Sequence, residues 1–145
     1  LQVERSQKAF ASRAVSLVSL PAGAVFAHIT HPTPATKAYT SVQISPNQHI
    51  ELNSALVYCN HSCDPSVVFD MDKMEVRVGE GRELKEGDAL TFFYPSTEWD
   101  MAQPFECNCG AEKCLGTIAG AKDIDEEALQ RYWLNKHIVE MLEER

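Results

Sequence analysis

Short runs of apolar residues, separated by Pro, Gly and Asn, make up the first half of the chain. Residues 15–20 and 24–29 lie on either side of a Pro-Ala-Gly break, and residues 42–44 and 50–52 flank a Ser-Pro-Asn break. Both patterns are typical of two strands joined by a turn. Residues 31–34, which read His-Pro-Thr-Pro, are predicted to form a loop.

Two further patterns continue the β prediction. Residues 67–69 meet residues 74–78 across a polar turn, and the alternation in the second run indicates a half-buried hairpin. Residues 89–94 are largely apolar and aromatic, which favours a buried strand. The sequence therefore predicts a mainly β body.

The C-terminal region changes to a helical pattern. Asp123, with Glu126 three residues later, is close to a capping box that begins a helix. Apolar side chains then recur at roughly helical spacing, and we expect this helix to pack on the body or to close over a ligand cleft. The stripe consists of Ile124, Ala128, Leu129, Tyr132, Trp133, Ile138 and Leu142.

Length and charge narrow the class of protein. The chain has 145 residues, of which 44% are hydrophobic, as expected for one globular domain. Its longest nearly apolar stretch, residues 20–29, is too short to cross a bilayer, and no secretory signal is visible, so we expect an intracellular protein without membrane contact. The 13 basic and 21 acidic residues give a net charge of −8, which argues against direct nucleic-acid binding and favours a basic partner.

The cysteines point to a metal site. Five cysteines without a secretory signal do not indicate a disulfide scaffold. Cys107, Cys109 and Cys114 have the close spacing of metal ligands, and structural zinc takes four N or S ligands. The fourth ligand is left open by the spacing, with Cys59, His61 and Cys63 as candidates; an iron–sulfur cluster is disfavoured by the absence of CxxC spacing.

Three segments, taken together and in this order, resemble the SET-domain family of S-adenosylmethionine-dependent protein-lysine methyltransferases. NHSCDPS at residues 60–66 is similar to the family's NHSCxPN stretch, and GDALTFFY at 87–94 is similar to its GEELTxDY strand. CNCGAEKCLG at 107–116 is similar to the post-SET CxCx4CxG segment. The residues after Tyr94 resemble a subgroup of small SET proteins.

The resemblance implies a β-clip fold of small twisted sheets with a pseudoknot. It divides the chain into a SET domain over residues 1–104, a post-SET zinc-binding segment over 105–120 and a C-terminal helix over 121–145. It also implies that Cys63 joins the three downstream cysteines on one structural zinc ion, which leaves Cys59 as a core thiol. The threading of the pseudoknot would bring Asn60 and His61 beside Tyr94.

The resemblance also assigns the reaction residues. Tyr94 corresponds to the catalytic tyrosine, and Phe92 and Phe93 to a channel that takes up the substrate lysine. Phe92 falls where the family controls how many methyl groups fit, and a Phe there favours di- or trimethylation. S-adenosylmethionine would be bound by Phe10, Asn60, His61, Tyr94 and Leu115. The implied substrate is a basic protein or peptide, such as a histone tail, acted on by a monomer.

The chain departs from the family pattern at three places. Residues 6–11 stand where the family has GxGxFA, so both glycines are replaced; Ser66 replaces the closing Asn; and Phe93 replaces the acidic residue before the tyrosine. Because these positions belong to the family's motifs, the changes favour an alternative function, that of a catalytically silent SET-like binding module with a structural zinc.

Overall fold

The computed structural model describes residues 1–4, 12–38 and 40–145. Within these ranges, twelve short strands form five small sheets, followed by two short helices. In the same ranges, no helix has the length and apolar character needed to cross a membrane. The strands are β1 (Gln2–Glu4), β2 (Arg13–Val15), β3 (Val25–His28), β4 (Thr33–Ala35), β5 (Val42–Ser45), β6 (Gln48–Glu51), β7 (Asn60–His61), β8 (Val67–Asp70), β9 (Glu75–Val78), β10 (Thr91–Phe92), β11 (Phe105–Glu106) and β12 (Thr117–Ile118).

Two three-stranded antiparallel sheets form the body, in the orders β3-β9-β8 and β4-β6-β5. The predicted hairpins β5–β6 and β8–β9 are confirmed. The predicted pairing of residues 15–20 with 24–29 is wrong, because β3 pairs with β9 while Leu20 bridges Leu84. The predicted loop at 31–34 is also partly wrong, since β4 begins at Thr33 and pairs with β6.

A two-stranded parallel sheet brings together segments that are far apart in sequence. Asn60 pairs with Thr91 and His61 with Phe92, and the Ser62 N–H donates to the Phe92 carbonyl at 3.0 Å. The strand β10 is shorter than the predicted strand over 89–94, because the chain turns into a 3₁₀ helix over Tyr94–Ser96. The expected meeting with Tyr94 is confirmed for His61, whose ring accepts the Tyr94 backbone N–H, and Asn60 lies next to His61 on the same strand.

Two apolar clusters hold the fold together. The main cluster fills the space between the sheets, and in it the Phe69 and Phe92 rings stack with centroids 4.0 Å apart. The second cluster joins Phe93 to the C-terminal segment, with the Phe93 and Tyr132 rings stacked at 3.7 Å. Adjacent residues of one strand thus face two different cores, as the alternation of a β-strand requires.

The C-terminal region contains two helices instead of the one predicted over 121–145. A 3₁₀ helix (Ala121–Asp123) leads into α1 (Glu126–Leu129), which is capped by Asp125 and not by Asp123, and α2 follows (Lys136–Glu143). The interruption lies at Asn135, which is 1% exposed and extended. Its side chain donates to the Phe69 and Ser96 carbonyls and accepts from the Met71 N–H. These three hydrogen bonds stabilise the extended conformation of Asn135 more than one continuous helix would be stabilised.

The turn before the C-terminal segment requires a glycine. Gly120 has φ +127°, and a Cβ there would overlap the Trp99 carbonyl oxygen, a backbone atom that cannot move aside as a flexible side chain could. We expect Gly120→Ala to lower the free energy of unfolding by about 2 kcal/mol or more, because strain and overlap add. Chemical denaturation measures this loss.

The matched control is Gly87→Ala, which shares a positive φ of +90° but has open space around the new methyl group. It should be destabilised clearly less than Gly120→Ala. Equal losses in the two variants would contradict the proposed overlap with Trp99.

Candidate functional site

Four cysteine sulfurs converge at one point on the surface of the body. Cys63, Cys107, Cys109 and Cys114 place their Sγ atoms within 4.8 Å of one another, and the Cys63 and Cys107 sulfurs are 4.0 Å apart. A tetrahedral zinc site with Zn–S bonds of about 2.3 Å has sulfurs about 3.8 Å apart. The donor set and spacing fit a zinc ion with four thiolate ligands.

The fourth member of this group, which the cysteine spacing had left open, is Cys63. Cys59 is buried in the main core, where burial raises the pKa of its thiol to about 12. Its sulfur is not part of the four-cysteine group. The Leu115 N–H donates to the Cys63 sulfur at 3.3 Å, a contact that stabilises the charge of a metal-bound thiolate.

His61 lies between the cysteine cluster and Tyr94. Its Nδ1 accepts the Tyr94 backbone N–H at 3.1 Å, so the ring proton is assigned to Nε2, which is 3.4 Å from the Cys63 sulfur. Burial lowers the pKa of His61 to about 4, so the ring is neutral at pH 7. This neutral imidazole connects the metal site directly to the backbone of Tyr94.

Tyr94 follows β10 and is held at both ends. Its hydroxyl donates to the Cys59 carbonyl at 3.1 Å, and its ring lies edge-on to His61 with centroids 5.4 Å apart. Burial raises the pKa of Tyr94 above its usual range, so the phenol stays protonated. With its proton directed to Cys59, the hydroxyl oxygen has lone pairs available to other groups.

Tyr94 lies at a small, partly open cleft whose lining combines apolar and polar side chains. Phe92, Leu52 and Leu56 are among its apolar residues. Its polar side chains are those of Thr40, Ser41, Tyr94, Thr97, Glu98 and Gln103. A concave apolar site with a few convergent polar groups is the usual form of a substrate pocket.

The fold of this chain is found in a solved structure. The complex of KRYPTONITE with mCHH DNA, H3(1-15) peptide and SAH superposes with a TM-score of 0.54 at 20% sequence identity. The match covers 79% of this chain and 28% of the KRYPTONITE chain, so the likeness is one of fold. No family model matches the sequence.

A protein of similar sequence identifies the family. The methyltransferase flvH of Aspergillus flavus is 57% identical over 143 residues, which cover 98% of this chain and 80% of flvH. The chain belongs to the SET-domain family of protein-lysine methyltransferases. A more distant relative of this SET domain is the histone-lysine N-methyltransferase mes-4 of Caenorhabditis elegans, 35% identical over 78 residues, which are 45% of this chain and 8% of mes-4.

The residues of this SET domain that are expected to bind the cofactor lie in separate segments of the chain. Asn60 lies on β7, and its amide nitrogen donates to the Ser12 carbonyl at 2.8 Å. Leu115 directly follows the last cysteine and packs against the Phe93 cluster. Phe10 lies outside the described residues, as do the residues that replace the GxG pattern. Of these residues, the structure brings His61 and Tyr94 into direct contact.

Phe92 and Phe93, both predicted for the channel of the SET domain, point in opposite directions. Phe92 lines the cleft and stacks on Phe69 beneath it. Phe93 is 3% exposed, does not line the cleft and stacks on Tyr132. The strand alternates faces, so two adjacent residues cannot both line one channel. Phe93 instead anchors the C-terminal segment.

Ser66 fulfils a structural role where the SET family has Asn. Its hydroxyl donates to the Ala89 carbonyl at 2.8 Å and accepts the Thr91 N–H at 3.0 Å, while its own N–H donates to the Thr91 hydroxyl. These bonds fasten residue 66 to β10. The substitution therefore does not disconnect the NHSC segment from the strand that ends at Tyr94.

Two aromatic residues of the SET domain were missed by the sequence patterns. Phe105, on β11, lies edge-on to His61 and Tyr94 with centroids 5.7 and 6.0 Å away. Tyr132 donates to the Cys63 carbonyl at 2.7 Å while stacking on Phe93. The only signal for Phe105 was its position just before the first post-SET cysteine. Tyr132 was seen only as part of a helical stripe.

Proposed function

We propose that this chain transfers a methyl group from S-adenosylmethionine to a lysine amine held in the cleft at Tyr94. The observation that carries the proposal is the arrangement around Tyr94. The Tyr94 hydroxyl lies at the cleft and donates to the Cys59 carbonyl, while the Tyr94 backbone N–H donates to His61. Such an arrangement orients an amine without supplying a nucleophile, which is what methyl transfer to nitrogen requires.

The apolar cleft addresses the protonation of lysine. A free lysine has a pKa of about 10.4 and is almost wholly charged at pH 7, whereas only the neutral amine attacks carbon. Moving the amine into surroundings such as Phe92, Leu52 and Leu56 disfavours the cation and lowers its pKa. The aromatic faces also attract the methylammonium product by a cation–π interaction.

Tyr94 acts as an orienting group and not as a base. Since burial raises the pKa of its phenol and its proton is directed to Cys59, it presents oxygen lone pairs to a methyl group or an amine. Short CH···O and N–H···O contacts to this oxygen would align donor and acceptor.

The residues proposed to bind the cofactor are Asn60, His61, Tyr94 and Leu115, and the neighbouring rings of His61, Tyr94 and Phe105 offer an aromatic surface for its adenine. S-adenosylmethionine supplies an electrophilic methyl group on a sulfonium, and transfer to the amine nitrogen leaves a neutral thioether. Phe10 remains assigned to this site as a proposal. The cysteine cluster holds the segment that carries Phe105 and Leu115 against the body.

Phe92 supports transfer of more than one methyl group. A tyrosine at this position would add a hydroxyl that can hold a water molecule in the cleft. The Phe92 ring, held by its stack on Phe69, leaves that space to a bulkier methylated amine. We therefore propose di- or trimethylation as the outcome.

The proposed substrate is a basic protein segment, with a histone tail as the first example to test. The chain carries a net charge of −8, which attracts basic peptides at long range. The relative mes-4 is named a histone-lysine methyltransferase, and KRYPTONITE is in complex with an H3(1-15) peptide. That complex also contains DNA, but we propose no nucleic-acid contact for this acidic chain, and we expect an intracellular monomer.

The test is transfer of a labelled methyl group to purified core histones by the zinc-loaded chain. We expect incorporation into a lysine, located by mass spectrometry. No incorporation into histones or into unfractionated basic proteins, while the cofactor is bound, would instead support the silent binding module.

A further inference from the structure

Glu98 is a buried carboxylate without a cationic partner. It is 8% exposed and lines the cleft together with Tyr94 and Phe92. Among the residues that the structure describes, no Lys, Arg or His nitrogen lies within 4.0 Å of its carboxylate. The nearby Lys37 is held by the carbonyl and the carboxylate of Asp100. Buried Glu residues are normally paired, so this one has the character of a site for an incoming cation.

The carboxylate is fixed by donors that favour its charged form. Its Oε2 accepts the Gln43 backbone N–H at 2.9 Å and the Thr97 hydroxyl at 2.6 Å. Burial raises the pKa of Glu98 to about 6, and these two hydrogen bonds act in the opposite direction. At pH 7.5 the group is therefore mostly ionised.

The same short turn positions Glu98 and Tyr94. The backbone N–H groups of Thr97 and Glu98 both donate to the Tyr94 carbonyl at 3.0 Å. The two side chains are therefore presented to one cleft by one rigid segment. Because Glu98 is largely shielded from solvent, a charge pair formed there is stronger than it would be in water.

We propose that Glu98 is a specificity-determining residue that selects a primary alkylammonium group for the cleft. This inference rests on the proposed function of the cleft as the channel for the substrate amine. The carboxylate would attract the charged side chain on entry near Tyr94, and loss of the amine proton, which the apolar residues of the cleft favour, would follow before methyl transfer. It would reject neutral side chains of similar shape, because they leave the buried charge unpaired.

A purely structural role for Glu98 is separable from this one. Glu98 and Gln43 tie the segment after Tyr94 to β5, since the Gln43 side chain also accepts the Trp99 N–H at 2.9 Å. A glutamine at position 98 retains an oxygen that accepts from Gln43 and Thr97 but removes the charge. The variant Glu98→Gln therefore preserves the tie and tests the charge alone.

The experiment titrates n-butylamine, which is an ammonium ion at pH 7.5, into the zinc-loaded full chain, with 1-butanol as the neutral probe of similar shape. Ligand-observed NMR measures both affinities. We expect wild type to bind the ammonium about ten- to a hundredfold more tightly than the alcohol, since a hydrogen bond to a charged group contributes about 1.5–3 kcal/mol. In Glu98→Gln this preference should vanish.

Two results would overturn the proposal. One is a wild-type preference for the ammonium of less than twofold, a measurement that does not depend on any variant folding. The other is an undiminished preference in a Glu98→Gln protein that melts at the wild-type temperature. Both readouts are independent of methyl transfer, so failure of the labelled-methyl assay would count against the proposed function and not against this inference. Where turnover is measurable, Glu98→Gln should raise KM about tenfold or more with a smaller change in kcat.

Discussion

Replacing Tyr94 by Phe should lower kcat by about a hundredfold or more, with the Kd of S-adenosylmethionine changed less than about threefold. The reason is that one preorganised polar group at the reacting atoms typically contributes 10²–10³ in rate. The ring and its edge-on contacts with His61 and Phe105 are retained in this variant, so the site keeps its shape. Steady-state kinetics with labelled cofactor, together with calorimetric titration, measures both quantities.

A matched control is Tyr58→Phe, which removes a hydroxyl from the 3₁₀ helix Ala55–Tyr58, outside the lining of the cleft. It should retain kcat within about twofold. A Tyr94→Phe protein with wild-type turnover would remove this hydroxyl from the reaction and leave Tyr94 with only a packing role.

Loss of one cysteine of the cluster should have the largest effect on structure. In Cys109→Ser we expect zinc content to fall from one ion per chain to nearly none, and residues 105–145 to become sensitive to protease. Thiolate–zinc bonds in small domains contribute about 10–16 kcal/mol of apparent binding free energy, far more than the short strands β11 and β12 can replace. Metal analysis and limited proteolysis followed by mass spectrometry provide the measurements.

Cys59→Ala serves as the control, because Cys59 is a cysteine of the core and not of the cluster. This variant should keep one zinc ion per chain and an intact C-terminal segment. Equal zinc loss in the two variants, or a Cys109→Ser protein as protease-resistant as wild type, would contradict the assignment of the ligands.

The sequence predicts the parts of the fold and of the site that depend on residues close together in the chain. The hairpins β5–β6 and β8–β9 follow from apolar runs that are separated by a short turn, so that each strand finds its partner nearby. The grouping of Cys107, Cys109 and Cys114 follows from their spacing alone. Cys63 required the family resemblance, because nothing local distinguishes it from Cys59.

Strand pairings, helix ends and buried groups that depend on contacts between residues far apart in the sequence could not be predicted from local patterns. The run over residues 15–20 carries a strand pattern, but Leu20 pairs with Leu84 and β3 with β9, across long stretches of chain. The helical pattern in the C-terminal region correctly indicated helix. The helix is interrupted before α2, where the Asn135 side chain donates to the carbonyls of Phe69 and Ser96. Glu98 shows the same limit in the site, since its burial beside Tyr94 depends on β5 and on the fold as a whole.

Methyl transfer by this chain requires S-adenosylmethionine to bind beside Tyr94 when the cysteine cluster holds zinc. Calorimetric titration of S-adenosylmethionine into the zinc-loaded chain tests this most directly. We predict saturable binding of one molecule per chain, and much weaker binding after zinc is removed by a chelator. A zinc-loaded, folded chain that binds no S-adenosylmethionine would contradict the account.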